Sequence, residues 1–376
     1  MIYLDHNATT PIDAEVTAAI LPYLSHAFGN PSSDHQYGAA PRAALDGARR
    51  EIATLIGGRD GQIVFTGSGS EADNLAIRGT VLAAGIDRPH VVTQVTEHPA
   101  VLQTCRALER WHGVDVTYLP VDSSGLVDPA DLEAALRTRA VLVSIMAANN
   151  ETGALQPIAD LARIAHDHDA LFHCDAAQQL GKLPFDADAL GIDLATVVGH
   201  KMYAPKGIGA LYVRSGVRLE PLVHGGGQEN GLRAGTENVA LAVGLGTAAR
   251  LASEHLGERP RIQKLRDALH DRLAEALPGR VLLNGPAGLR LPNTLNISIA
   301  GSIGSELLRN APDVAASTGS ACHSGDPEPS PVLSAMGIDR PRALAAIRLS
   351  LGRWSTPDDV DTAADQLGGA ARNGGS

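Results

Sequence analysis

The side chains in this sequence best suited to covalent and acid–base chemistry are Lys201, Asp175, His98 and Cys322. The first three stand in short polar segments, each following an apolar run. "TGSGSE", residues 66 to 71, follows "IVF", and its N–H groups with Ser68 and Ser70 suit a phosphate at a helix N-terminus. Thr96-Glu97-His98 follows "HVVTQV", and Asn149-Asn150-Glu151 follows "VSIMAA". Asp175 and Gln178 come after "LFHC", and Gly199-His200-Lys201 after "ATVV". Taken singly, each has a plain structural reading as a turn, a helix cap or a solvated charge.

Together they form a phosphate cradle, an imidazole, an amide, a carboxylate and an amine at successive strand ends. Ligands of open α/β sheets bind beyond the carboxyl ends of the strands. This set meets the needs of pyridoxal 5'-phosphate: a lysine for the aldehyde, a carboxylate for the ring nitrogen, a flat group to stack, and a helix start for the phosphate. A neighbouring cation lowers the pKa of a desolvated lysine, and His200 is the expected neighbour. A metal site is the competing reading of "HDHDALFHCDAA". His173 and Cys174 are adjacent on a strand and point to opposite faces, and no Cys-x-x-Cys or His-x-x-x-His pair accompanies them, so no metal is expected. Cys322, in "STGSACHSGD", lies among small polar residues. Its surroundings alone leave a nucleophile, a metal ligand and an incidental surface thiol open.

The elements that must position these groups alternate β and α from about residue 40 to 250. "QIVFTG", "HVVTQV", "AVLVSIMAA", "ALFHCDA", "DLATVVGH" and "GALYV" read as strands. "SEADNLAIRGTVLAAG" (with Ser70 as N-cap), "PAVLQTCRALERW" and "IADLARIAHDH" read as helices. Near-continuous apolar strands between helices indicate a mostly parallel sheet covered on both faces. One helix-and-strand unit is expected between Asp175 and Lys201. Beyond about residue 255, "RIQKLRDALHDRLAEAL" is an amphipathic helix. "TLNISIA", "VAAST" and "AIRLSLG" read as strands of a smaller sheet, and "TPDDVDTAADQLGGAA" as a last helix. "GLGTAARLASEHLG" reads as one long connecting helix, and the tail "GGAARNGGS" as disordered. The expected division is an N-terminal arm, 1–15, joining the small domain; a large cofactor domain, 16–254; and a small domain, 255–376, carrying the Cys322 loop.

The 376 residues exceed what one core usually serves. A net charge of −11 argues against a basic surface for nucleic acid. Three widely spaced cysteines argue against a disulfide framework and fit a reducing compartment. The opening "MIYLDHNATTP" has no secretory signal pattern and no apolar run is of bilayer-spanning length, so a cytoplasmic protein without membrane contact is expected.

The chain resembles the cysteine desulfurases of the NifS/IscS type, class V, fold-type I pyridoxal phosphate enzymes, over nearly its whole length. The resemblance rests on "YLDHNATTP", "GNPSSDHQYG", "FTGSGSEADNLAI", "TEHPAVLQT", "NNETG", "DAAQQLGKLPFD", "GHKMYAPKGIGALYVR", "HGGGQENGLRAGTEN", "LPNTLNIS", "GSACHSG" and "IRLSLGR", in that order. It implies a large domain with a seven-stranded-type, mostly parallel sheet sandwiched by helices, and a smaller α+β C-terminal domain. It makes Lys201 the lysine that links to the cofactor and Asp175 the partner of its ring nitrogen. Gln178 and Asn150 bond the ring hydroxyl, Asn150 also facing substrate. His98 stacks on the ring and moves protons. Gly69, Ser70 and His200 lie at the phosphate, and Thr236 in "RAGT" reaches it from the partner subunit of a homodimer. Arg348 grips the carboxylate of L-cysteine, and Cys322 forms a persulfide and delivers it from a mobile loop to a protein acceptor. The acceptor would serve iron–sulfur assembly, tRNA thiolation or DNA phosphorothioation.

Two departures stand out. Val198 occupies a place where the family often has a phosphate-binding serine, and His323 follows the cysteine. Both features also resemble selenocysteine lyases of the same superfamily, which is the alternative activity.

Overall fold

The computed structural model describes residues 1–319 and 328–373. The chain runs β1 (Ile2–Tyr3), α1 (Ala14–Ser25), α2 (Gln36–Ile56), β2 (Gly61–Thr66), α3 (Gly69–Ala83), β3 (His90–Gln94), α4 (Pro99–His112), β4 (Asp115–Leu119), α5 (Pro129–Ala135), β5 (Leu142–Ser144), α6 (Ile158–Asp167), β6 (Leu171–Asp175), β7 (Leu194–Val198) and β8 (Gly209–Arg214). It continues through α7 (Val239–Glu254), α8 (Arg259–Ala276), β9 (Val281–Leu283), β10 (Thr294–Ile299), α9 (Gly304–Arg309), β11 (Val314–Ala315), α10 (Pro331–Ala335), α11 (Arg340–Leu344), β12 (Ala346–Ser350) and α12 (Pro357–Asn373).

A seven-stranded sheet has the order β2-β8-β7-β6-β5-β3-β4. Its strands pair in parallel except β8, which is antiparallel to both β2 and β7. β3, β5 and β7 are buried at every position, as strands covered on both faces must be. One face is closed by α1, α2, α6 and α7 through Ile20, Ile52, Leu161 and Leu245. The other is closed by α3 and α4 through Leu75, Val101 and Leu108. The expected α/β architecture is therefore present.

A second core joins α8 and α12 to a three-stranded antiparallel sheet of order β12-β10-β9. β1 pairs in parallel with β11, Ile2 opposite Val314, and Leu4 is buried in this second core. So "VAAST" is not a strand of the small sheet; its first residues instead pair with the N-terminus, and "VLL" supplies the third strand. The pairing partner lies more than three hundred residues away, which local patterning cannot reveal.

Other local expectations also change. The "GLGTAARLASEHLG" segment is not one helix. It breaks at a 3₁₀ turn, His255–Glu258, before α8 restarts with Pro260 in its first turn. Proline lacks the N–H that would continue the preceding helix but suits a helix start. The tail is ordered as helix to Asn373, with Gly368, Ala370 and Ala371 buried. Its small residues let α12 approach α8 closely, Gly368 lying against Ala276. Between β6 and β7 the chain makes turns and no α-helix. Among the described residues, no helix is long and apolar enough to cross a membrane.

Candidate active site

The turn after β2 is held by its own side chains. Ser68, not Ser70, caps α3: its Oγ accepts from the Glu71 N–H at 3.1 Å. Glu71 Oε2 accepts in return from the Gly67 N–H at 2.8 Å, a variant of the reciprocal capping box. Ser70 is thereby the second residue of the helix, one of the first-turn positions whose N–H has no intrahelical acceptor. The N–H groups of Gly69 and Ser70 have no hydrogen-bond partner among the described residues. Gly69 packs on the Val198 side chain so closely that a Cβ there would overlap Val198 Cγ2.

The strand ends converge as expected. Gly69, Ser70, His98, Asn150, Asp175, Gln178, Val198, His200, Lys201 and Arg348 line one open cavity of about 290 Å³. That is the lower end of small-molecule sites, roughly 300–1,000 Å³. Asn149 is not part of it. Its side chain donates to Thr96 O and accepts from the Glu151 and Thr152 N–H groups, shaping the turn that turns Asn150 outward. His98 caps α4, its Nδ1 accepting from the Ala100 N–H at 3.1 Å, which leaves Nε2 to carry the ring's proton. Thr236 lies exposed on the 224–238 segment and does not line this cavity, and Cys322 and His323 lie outside the described residues. The histidines of "HDHDALFHCDAA" are committed elsewhere: His166 to Asp193, His168 to Glu133, and His173 to Ser144 and Thr196.

What sequence reasoning did not assign is the role of the N-terminal arm. Lys201 Nζ donates to Asn7 O and Ala8 O, both at 2.7 Å. Gln178 Nε2 donates to the same Asn7 carbonyl at 3.0 Å. The Asn7 side chain is buried and ties together Asn150 O, Thr294 Oγ1 and the Asn293 amide. Asp5 Oδ1 pairs with Arg348 Nη2 at 2.6 Å, and Thr9 Oγ1 meets His200 Nδ1 at 3.2 Å. The polar run "DHNATT" was the available signal; that it threads between distant strands was not readable from it.

Burial sets the electrostatics. Lys201 is lowered to about 8, first by burial and next by Arg348, with Asp175 and Asp5 opposing. His200 is not the cation that the sequence suggested. Burial, helped by Lys201, lowers it to about 4, so it is neutral near pH 7 and contributes no charge. His98 is lowered by its recessed position and by Lys201, against the pull of Asp175. Asp175 is raised by burial, with the Ala177 N–H bonded to its Oδ1 at 2.9 Å as partial relief. Fully buried Asp73 behind it is raised further, in part by Asp175 itself.

These residues fit pyridoxal phosphate. A carboxylate at a strand end, raised by burial, is matched by a protonated ring nitrogen. Two free N–H groups at a helix start are matched by a phosphate. Lys201, partly deprotonated near neutrality, is matched by an aldehyde.

Known proteins agree with this arrangement. The aminotransferase class-V family profile matches residues 2–362. A cysteine desulfurase (IscS) of Dictyoglomus turgidum is 46% identical over 369 residues, covering 97% of this chain and 93% of its own. A solved NifS-like protein superposes with a TM-score of 0.91 at 36% identity, covering 98% of each chain. A structure described as SspA in complex with cysteine gives a TM-score of 0.84 at 37% identity, covering 95% of this chain and all of that one. The chain thus belongs to the class-V aminotransferase family, among its cysteine desulfurases.

Proposed function

We propose that this protein is a pyridoxal-phosphate-dependent cysteine desulfurase that converts L-cysteine to L-alanine and passes the sulfur on from Cys322. The observation that carries the reading is the single cavity shared by Lys201, Asp175, Gln178, His98 and Arg348 at the mouth of the Gly69–Ser70 turn.

When bound, the cofactor supplies an electron sink for the pair left at the substrate Cα. The chain does the rest. The Gly69 and Ser70 N–H groups, with His200 nearby, would hold the phosphate. Asp175 would hold the ring nitrogen's proton, Gln178 and Asn150 would bond the ring hydroxyl, and His98 would stack on the ring. Arg348 binds the substrate carboxylate with its planar fork, already oriented by Asp5 and by Asn150 O, which accepts from Nη1 at 3.2 Å. Lys201 Nζ, as the neutral amine that its lowered pKa favours, removes the Cα proton. The Cys322 thiolate attacks the substrate sulfur: an S–S bond forms, the C–S bond breaks, and alanine leaves after reprotonation.

We also infer a homodimer in which Thr236 serves the partner's phosphate site; its exposure outside its own cavity supports this. We further infer a cytoplasmic protein that passes sulfur to a protein acceptor, its chain divided into an N-terminal arm, 1–15, a large cofactor domain, 16–254, and a small domain, 255–376. Cys105 and Cys174 are free and buried, as suits a reducing compartment.

The test is alanine release from cysteine by purified protein loaded with cofactor. Lys201→Ala should abolish it and the covalent cofactor absorbance together. Cys322→Ser should lower release at least a hundredfold while leaving that absorbance intact; full activity in this variant would sink the persulfide route. Val198 favours selenocysteine lyase as the second reading. Selenide release from selenocysteine that is independent of Cys322 would establish it.

A further inference from the structure

One cation beside the site has no part in the chemistry above. Lys182, in "QQLGKLP", is half-buried with its ammonium turned inward onto Gln178. Nζ donates to Gln178 Oε1 at 2.9 Å and to Gln178 O at 3.0 Å. No carboxylate lies within ion-pair distance of it among the described residues. Instead Lys201 and Arg348 are its charged neighbours, and both repel it. A lysine held against two cations with no counter-ion needs a reason to be there.

The amide it touches supplies one. A glutamine side chain has an acceptor end and a donor end, and they exchange by a half-turn of the amide. The Lys182 ammonium only donates and a carbonyl only accepts, so below the pKa of about 7 to which burial, Lys201 and Arg348 lower it, Lys182 and the Asn7 carbonyl together fix Gln178 with Oε1 toward Lys182 and Nε2 toward Asn7. Gln178 lines the cavity. Its second Nε2 proton is then the group left for a ligand oxygen. With the amide reversed, Oε1 would face that oxygen and repel it.

We propose that Lys182 is a positioning residue that locks the Gln178 amide, so that a donor and not an acceptor meets the ring oxygen of the cofactor. This rests on the reading of the cavity as a pyridoxal phosphate site. Lys182 does not line the cavity; it acts through Gln178, as residues behind a site commonly fix the groups in front.

The experiment is a pH titration of the visible absorption of the cofactor-loaded protein, alongside thermal melting. A donor to the ring oxygen favours its deprotonated form and so lowers the midpoint of the absorption change. Lys182→Met should raise that midpoint by about one pH unit, the scale of one hydrogen bond. Lys182→Arg, which keeps donors, should return most of the shift. In a Gln178→Ala background Lys182→Met should add nothing, because the two changes remove the same contact. If Lys182→Met does not fold, Lys182→Gln is titrated in its place. A lower melting temperature with an unmoved midpoint would make Lys182 merely structural and overturn the proposal. So would a further shift in the Gln178→Ala background, which would assign the effect to the charge of Lys182. A wild-type protein that acquires no visible band would instead remove the cofactor reading, and this inference with it.

Discussion

Lys201 illustrates how a residue's chemistry is set by what encloses it. Its amine donates to two carbonyls of the N-terminal arm, which hold it in place without a counter-ion. Burial and Arg348 bring its pKa down to about 8. Cofactor capture requires the neutral amine, so uptake by the cofactor-free protein should quicken as pH rises through about 8 and then level off. Stopped-flow absorbance with excess pyridoxal phosphate reads this directly. Arg348→Met removes a repelling cation and should move the midpoint upward. A midpoint that stays put in that variant would show that burial alone sets the lysine's pKa.

At the scale of elements, the crossing of α3 over β7 decides how the phosphate can be held. Gly69 at the start of α3 lies against Val198 at the end of β7. The Val198 side chain donates no hydrogen bond, yet it demands glycine opposite. Gly69→Ala should cost about 1–3 kcal/mol through overpacking and loosen cofactor binding. Val198→Ala in the same chain should restore both, as measured by urea unfolding and cofactor dissociation. Glu151 makes a comparable local knot in the segment after β5. Its carboxylate accepts from Ser330 Oγ and abuts Gly319, whose φ of +74° suits a residue without Cβ. Burial raises this carboxyl to about 7. The described residues on either side of the Cys322 segment thus meet at one side chain.

Across the whole molecule, the N-terminal arm and the buried acids govern stability. Asn7 joins groups from the Asn150 turn, β10 and the residue before it. Asn7→Ala leaves several buried polar atoms unpaired at about 1–3 kcal/mol each, so a loss of several kcal/mol is expected in denaturant melts. Glu97 is fully buried and raised to about 8, while an unfolded glutamate titrates near 4.5. Between those values the folded state holds a proton that the unfolded state has lost, so stability must fall as pH rises from 4.5 to 8. Glu97→Gln should remove a contribution on the order of 5 kcal/mol across that pH range. Asp73 and Asp175, raised in the same direction, would leave a residual slope of the same sign. Melting temperatures across this pH range in both proteins check the difference.

Sequence by itself determined much of this protein. Apolar runs long enough for strands, each followed by polar residues, were legible because period and composition are local. They led to the parallel sheet and to Ser70, His98, Asn150, Asp175, Gln178, His200 and Lys201 as site candidates, while Gly69 and Arg348 came from the resemblance to known desulfurases. Tertiary structure alone decided what those residues lean on. Ser68 displaced Ser70 as the cap because Glu71 answers it across one turn. Arg348, not adjacent His200, tunes Lys201, because a neighbour in sequence can be neutralised by burial while one far along the chain is brought alongside. The arm residues Asp5, Asn7 and Ala8, and Lys182 behind Gln178, acquired roles only through long-range contacts. No periodicity encodes such contacts, since they depend on how strands and loops distant in sequence are packed together.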